Sequence, residues 1–237
     1  MNVFITGISS GLGYGLAWYY LEKGHDVYGI SRRAKPELEN YQRFRYSAVD
    51  ISDFKNTEIV IPELLKEVMN LDLVILNAGI LNEIKDLKGT SLDEIRQAMD
   101  VNVWANKIII ELLFTSVLKV KQIVAISSGA SVSGSRGWNA YSLSKAALNM
   151  LIDLYSREYT GCHFCALAPG LIKTGMQDYI KGLPEEMSEK FPVVAKLKNA
   201  YGTESMPSPK EAAPKIAFSI EKALQFKSGR FLDVREI

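Results

Sequence analysis

The chain has 237 residues, with 28 Lys and Arg against 27 Asp and Glu, a formal net charge of +1. Hydrophobic residues make up 47% and charged residues 23%, a globular composition that excludes a disordered chain. The balanced charge removes the basic footprint of a nucleic-acid binder. No apolar run approaches the ~18 residues of a membrane span, so no membrane is expected as a partner. The opening Met1-Asn2-Val3-Phe4-Ile5-Thr6-Gly7 meets glycine too early for a secretory signal, and a cytoplasmic location is expected. Two cysteines, Cys162 and Cys165, supply no disulfide framework.

Short apolar runs rich in β-formers alternate with longer segments of helical period. Residues 3–5 form the first expected strand, and helical spacing over 12–23 stops at Gly24. Further strands are expected at 27–30 and, more weakly, at 43–49. Residues 55–69 carry helical spacing, with Pro62 expected to bend or split the helix. Residues 71–76 read as a buried strand. A long helix is expected over 91–118, with Thr90 or Ser91 as cap and Asp93 and Glu94 in its first turn. Strand 122–126, helix 140–159 and strand 163–168 follow. Ser208-Pro209-Lys210-Glu211 supplies an N-cap, Pro at N1 and Glu at N3 for a helix over 209–225. A last strand covers 231–234.

Such alternation means a parallel sheet with helices on both faces. Leu73-Val74-Ile75-Leu76 and Ile123-Val124-Ala125-Ile126 are apolar without a break, as strands covered on both faces are. One doubly wound α/β domain, residues 1–237, accounts for the chain. Residues 171–207 break the alternation. They lie beyond a strand's carboxyl end, where such sheets bind ligands, and are expected to form a partly mobile flap over a site.

The first strand runs into Thr6-Gly7-Ile8-Ser9-Ser10-Gly11-Leu12-Gly13 and then a helix. A tight strand-to-helix turn asks for positive φ, for close approach of backbone to a phosphate, and for close helix–sheet packing, all of which glycine permits. Gly7, Ser9, Ser10, Gly11, Leu12 and Gly13 are therefore candidates to hold a pyrophosphate at the helix N-terminus. A plain tight turn is the plainer reading. An acid ~20 positions beyond the glycines would hold the ribose 2′-hydroxyl of NAD. None stands between Asp26 and Glu37, and the second strand ends in Ser31-Arg32-Arg33. A serine and two guanidinium groups suit a 2′-phosphate. NADP(H) is expected over NAD(H), with Arg32 the first candidate and a solvated basic turn the alternative.

Tyr141-Ser142-Leu143-Ser144-Lys145 opens a helix, so Tyr141 and Lys145 share a face. At an effective dielectric of ~20 and ~6 Å, a lysine favours tyrosinate by ~3 kcal/mol, about two pKa units. Ser127-Ser128 ends the 122–126 strand, Asn102 lies in the preceding long helix, and Asn77-Ala78-Gly79 ends another strand. With these motifs together and in order, the sequence resembles the short-chain dehydrogenase/reductase family. Thr6–Gly13 resembles that family's cofactor loop, Asn77-Ala78-Gly79 its NAG motif, Tyr141 to Lys145 its active-site motif, and Pro169-Gly170-Leu171-Ile172-Lys173-Thr174 its P-G-x-x-x-T segment.

The resemblance implies a Rossmann domain with a mainly parallel seven-stranded sheet. It implies NADPH-dependent reduction of a ketone or dicarbonyl small molecule, reversible to the alcohol, with no metal. Tyr141 would exchange a proton with the carbonyl oxygen, Lys145 would lower its pKa and hold the nicotinamide ribose, and Asn102 would position a relay water. The family's serine lies thirteen residues before its tyrosine, which selects Ser128 over Ser127 as the group bonding the carbonyl oxygen. Asp50, followed by Ile51, matches the adenine contact; Asn77, Ala78 and Gly79 flank the cofactor; Pro169, Gly170, Ile172 and Thr174 lie by the nicotinamide. The long helices would pair subunits into a homodimer or homotetramer. A cofactor-binding protein without catalysis is the alternative.

The end of the chain is similar to the sepiapterin reductase and benzil reductase branch, in which the aspartate matching Asp233 anchors a pterin. A terminal strand residue facing solvent is the competing reading. Met176 and Tyr179 are pocket candidates, and Trp138 either walls the pocket or fills the core. Cys162 and Cys165 stand i and i+3 on an expected strand, facing opposite sides, and are read as core rather than metal ligands.

Overall fold

Seven parallel strands run through the centre of the molecule: β1 (Asn2–Thr6), β2 (Asp26–Ser31), β3 (Phe44–Ala48), β4 (Leu73–Leu76), β5 (Gln122–Ile126), β6 (His163–Ala168) and β7 (Phe231–Asp233). Their spatial order is 3-2-1-4-5-6-7, as expected of a Rossmann sheet. The computed structural model describes residues 1–117 and 119–237. Among them no helix is long and apolar enough to cross a membrane.

The helices are α1 (Gly11–Glu22), α2 (Pro36–Glu39), α3 (Phe54–Leu65), α4 (Leu92–Met99), α5 (Ala105–Ser116), α6 (Asn139–Glu158), α7 (Gly175–Lys181), α8 (Glu185–Lys190), α9 (Pro192–Ala200) and α10 (Pro209–Ala223). One sheet face is covered by α1 and α10, through Leu16, Ala17, Ile216 and Ile220. Gly15 brings those two helices close, because a Cβ there would overlap the Pro209 carbonyl. The other face is covered by α3, α5 and α6, through Ile61, Ile109 and Leu148. All residues of β4 and β5 are buried, which is why both read as unbroken apolar runs.

Three expectations need correction. The 91–118 segment is not one regular helix. Asp100–Trp104 forms a turn of π-helix between α4 and α5, and the expected end at Leu118 lies outside the described residues. A π-turn adds one residue to the spiral and leaves the apolar period nearly intact, so spacing does not reveal it. Second, residues 55–69 are helical only over Phe54–Leu65; Pro62 lies inside that helix without splitting it. Third, the expected strand at 71–76 divides: Leu73–Leu76 joins the main sheet, while Asn70–Leu71 pairs with Lys119–Val120. Residues 171–207, the expected flap, carry α7, α8 and α9 around a small core of Ile180, Phe191, Val194, Leu197 and Met206.

Candidate active site

The strand order reverses at β1, and the loops beyond β1 and β4 flank that switch point, where open α/β sheets bind ligands. The two loops are tied together. The Thr6 hydroxyl accepts from the N–H groups of Asn77 and Ala78, each at 2.9 Å. Asn77 Nδ2 donates to the Thr6 carbonyl at 3.0 Å and the Gly7 carbonyl at 3.3 Å. Gly7 and Gly11 take φ of 76° and 59°, a region that favours glycine. Gly13 is required for a different reason: a Cβ there would overlap Asn77 Nδ2 and the Gly7 carbonyl. A side chain at Gly11 would come 3.3 Å from Thr174 Cγ2, so the loop after β1 faces the segment after β6. Ser10 stands at the N-cap of α1 and makes no side-chain cap, whereas Ser91 and Ser208 close capping boxes on α4 and α10. The first N–H groups of α1 and the positive end of its dipole face this glycine cradle. Ser9 is half-buried beside it and Leu12 is buried beneath it.

The remaining expected cofactor residues also fall at carboxyl ends of strands. At the end of β2, the Ser31 hydroxyl donates to the Arg33 carbonyl at 2.6 Å, and Tyr46 donates to the Ser31 carbonyl at 2.9 Å. Ser31 thus shapes the turn, and Arg32 and Arg33 are its exposed cations. After β3, Asp50 Oδ1 accepts from the Ser52 N–H at 3.0 Å and hydroxyl at 2.7 Å. Burial pushes the Asp50 carboxyl up, but those bonds and the Arg32 guanidinium hold it below its ordinary value. Ile51 is buried. Ala78 and Gly79 follow β4. Pro169 and Gly170 follow β6, Gly170 with φ of 76°. Ile172 is buried, and Thr174 stands at the N-cap of α7.

The four expected catalytic residues come together beyond β4 and β5. Asn102 is fully buried in the π-turn. Its Oδ1 accepts from the Ile80 N–H at 2.8 Å, and its Nδ2 donates to the Ile80 carbonyl at 3.0 Å and the Ser144 hydroxyl at 2.9 Å. Asn102 therefore locks α4 and α5 to the loop after β4 and to the helix that carries Tyr141. A Cβ on Gly79 would lie 3.0 Å from Asn102 Oδ1 and 3.5 Å from Lys145 Nζ. Lys145 is buried and donates to the Ile126 carbonyl at 2.7 Å. Desolvation pushes it down to about 8. Its Nζ lies 5.8 Å from the centre of the Tyr141 ring.

The surroundings of Tyr141 work against the expected depression of its pKa. Desolvation pushes the phenol above its ordinary value, and only hydrogen bonding with Ser128 pulls it down. The ammonium of Lys145 is directed at the Ile126 carbonyl, and its burial brings its own titration close to the neutral range. The structure also separates the two serines. Ser127 donates to Asn149 Oδ1 at 2.6 Å, while Ser128 faces Tyr141 and accepts from the Ala130 N–H at 3.1 Å.

Trp138 is buried in the small core under α7 to α9, and its ring centre lies 5.9 Å from that of Tyr141. It both fills that core and backs the tyrosine. Met176 is half-buried and Tyr179 exposed on α7. Asp233 is buried rather than facing solvent, and its carboxylate is engaged by Arg235. It accepts from Arg235 Nε at 2.8 Å, Nη2 at 2.5 Å and the backbone N–H at 3.0 Å. Cys162 and Cys165 pack into the cores on opposite faces of the sheet, and burial pushes both thiols up to about 12. Among the described residues no cluster of His, Cys, Asp and Glu could hold a metal.

Supporting residues escaped the sequence reading. Asn149 accepts from Ser127 and donates to the Ser131 hydroxyl at 2.8 Å, and Ser131 donates to the Ser128 carbonyl at 2.6 Å. Asn149 stands four residues after Lys145, on the same face of α6, so helical spacing could have found it. Asn106 Nδ2 donates to the Asn102 carbonyl at 2.8 Å inside the π-turn.

Comparison with known proteins bears on the family and the fold. Residues 1–182 match the sequence profile of the family described as short chain dehydrogenase. The chain is 32% identical to the benzil reductase ((S)-benzoin forming) IRC24 of Saccharomyces cerevisiae, over 94% of this chain and 90% of that protein. It is 29% identical to a benzil reductase ((S)-benzoin forming) of Bacillus subtilis, over 98% and 97%. In fold it is similar to YIR035C of Saccharomyces cerevisiae, a short chain dehydrogenase/reductase, at a TM-score of 0.84 and 22% identity over 99% and 96%. It is also similar to ElxO, whose structure has NADP bound, at a TM-score of 0.78 and 23% identity over 98% and 96%. The profile match over most of the chain, together with this sheet, makes the protein a Rossmann-fold oxidoreductase of the short-chain dehydrogenase/reductase family, whose members bind NAD(P)(H).

Proposed function

We propose that the protein is an NADPH-dependent carbonyl reductase that reduces ketones and dicarbonyls, with Tyr141 as proton donor. The observation that carries this reading is the meeting of Ser128, Tyr141 and Lys145 at the carboxyl ends of β4 and β5, beside the glycine cradle. The benzil reductases among its relatives support the substrate class.

Gly7, Gly11, Gly13 and the α1 N-terminus would hold the cofactor's pyrophosphate, and Arg32 its 2′-phosphate. When bound there, the cofactor would supply the hydride for reduction. The Ser128 hydroxyl donates to the carbonyl oxygen and holds it against Tyr141. As negative charge develops on that oxygen, the Tyr141 hydroxyl transfers its proton, leaving tyrosinate and the alcohol. A phenol above its ordinary pKa stays protonated at neutral pH and so starts in the form that reduction requires. Lys145, while charged, stabilises the tyrosinate so formed. Asn102 fixes the loop after β4 and the start of α6 in register, so that Tyr141 and Lys145 stay on one face.

The test is NADPH consumption with 1,2-diketones, simple ketones, aldehydes and pterins. Turnover with a ketone or diketone is expected. NADPH binding without turnover on any carbonyl compound would overturn the reading.

Assembly through the long helices belongs to the same proposal. Trp104, Leu143, Met150 and Leu154 leave large apolar side chains in solvent, 42 to 58% exposed, on the π-turn and α6. Such a surface asks for a second one to cover it. Light scattering is expected to give two or four times the 26.4 kDa chain mass. A monomer mass at micromolar concentration would refute it.

A further inference from the structure

We propose that Arg235 is the hydrogen-bond donor for a second substrate oxygen, and that it selects substrates with an acceptor oxygen on the carbon next to the reacting carbonyl, as in 1,2-diketones. This rests on the carbonyl-reductase reading and names the residue that would distinguish a vicinal dicarbonyl from a plain ketone.

β5, β6 and β7 are consecutive neighbours in the sheet, so their carboxyl ends share one rim. Ser128-Gly129 leaves β5 on that rim, Pro169-Gly170 leaves β6, and Val234-Arg235 leaves β7. The side chains that follow β7 reach the glycines that follow β5 and β6. A Cβ on Gly170 would sit 3.5 Å from Val234 Cγ2, and one on Gly129 would meet a single neighbour within 4 Å, Arg235 Nη2 at 3.9 Å. The residue after Ser128 has no side chain, and the group next to the space beside it is a guanidinium.

That guanidinium is held in place. Asp233 takes Nε and Nη2 in a two-point clasp, and the Asp233 side chain is 6% exposed while that of Arg235 is 68% exposed. A guanidinium has five N–H donors. Two are spent on Asp233, and three remain on the open side. The clasp fixes the direction of those donors and cancels the net charge, so the pair suits a neutral acceptor oxygen better than a free carboxylate. Ser128 and Tyr141 already serve one carbonyl oxygen; Arg235 offers donors for a second on the same rim. The arrangement disfavours a substrate anchored through its own N–H groups, because Arg235 occupies the acceptor it would need.

Benzil and deoxybenzoin form the probe pair, since they differ only in a second carbonyl against a methylene. We expect Arg235→Ala to lower the ratio of kcat/KM for benzil to that for deoxybenzoin by about tenfold or more, the loss of one charge-assisted bond. Comparing ratios removes the intrinsic difference in electrophilicity. Arg235→Ala leaves the Asp233 carboxylate buried without its partner, so Asp233→Asn/Arg235→Ala is measured beside it, with melting temperature and NADPH affinity reporting the fold. The double variant is expected to lose the same preference. A ratio within twofold of wild type in both variants would overturn the role of Arg235 and leave the carbonyl-reductase reading standing. A wild-type enzyme that reduces other ketones but prefers benzil no more than deoxybenzoin would also overturn the role of Arg235, and one that binds NADPH and turns over no carbonyl compound would overturn both readings.

Discussion

Replacing Tyr141 by Phe lowers the rate of carbonyl reduction by about 10²–10⁴-fold, the range for loss of a positioned proton donor. The substitution removes one oxygen and keeps the ring that packs against Trp138. The helix should be undisturbed, because Asn102 and Ser144 bond backbone and hydroxyl groups there, not the phenol. NADPH affinity, read by titration of cofactor fluorescence, should change little. A variant retaining more than about a tenth of the wild-type rate would show that the proton comes from elsewhere.

The pH dependence of the wild-type enzyme follows from the same groups. Lys145 is a base whose pKa is pushed down by burial to about 8, so it is charged below that pH and neutral above it. Tyr141 is an acid whose pKa is pushed up, so it stays protonated over the same range. As pH rises through about 8, the enzyme loses the charge that stabilises tyrosinate, and kcat/KM for reduction should fall. A profile flat from neutral pH to well above 8 would show that Lys145 keeps its charge in the working enzyme or does not assist the proton transfer.

The parts of this site that were legible in the sequence are those that one residue type alone can satisfy. Gly7 and Gly11 take left-handed backbone, and Gly13 lies against Asn77, so their spacing carried the cradle. The apolar runs of β4 and β5 carried the sheet, because both faces are covered. What spacing could not carry was the surroundings. Tyr141 and Lys145 share a helix face as expected, but their distance says nothing of desolvation, and desolvation moves both groups. The π-turn at Asn102 was hidden because one extra residue barely changes an apolar stripe. The helices of 171–207 were hidden because none exceeds 9 residues and their small core draws on Ile84 and Trp138 from elsewhere in the chain. Asp233 was seen without Arg235, although the two stand only two positions apart.

Replacing Arg32 by Ala weakens NADPH binding by about 10–150-fold, the ~1.5–3 kcal/mol of a hydrogen bond to a charged group, and leaves NADH binding nearly as it was. The turn that presents Arg32 does not depend on its side chain. Ser31 closes that turn on the Arg33 carbonyl, and Tyr46 holds the Ser31 carbonyl from β3. The Ser31 proton is engaged there, so the guanidinium is the stronger donor for a 2′-phosphate. The nearest acid in the chain after Arg33 is Glu37, and Lys35 already sits 3.4 Å from its carboxylate. No carboxylate is therefore set at the end of β2 to take a 2′-hydroxyl in preference to a phosphate. Asp50 is the acid that feels Arg32, and removing the cation should let its pKa rise toward the ordinary carboxylate range. Because Arg32 is exposed, its contribution is screened by salt. The ratio of NADPH to NADH affinity should thus fall as ionic strength rises in the wild type and stay nearly flat in Arg32→Ala. Dissociation constants for both cofactors at low and high salt provide the measurement. An equal loss for NADPH and NADH would move the 2′-phosphate away from Arg32, and Arg33→Ala, measured alongside, would show whether the neighbouring guanidinium holds it instead.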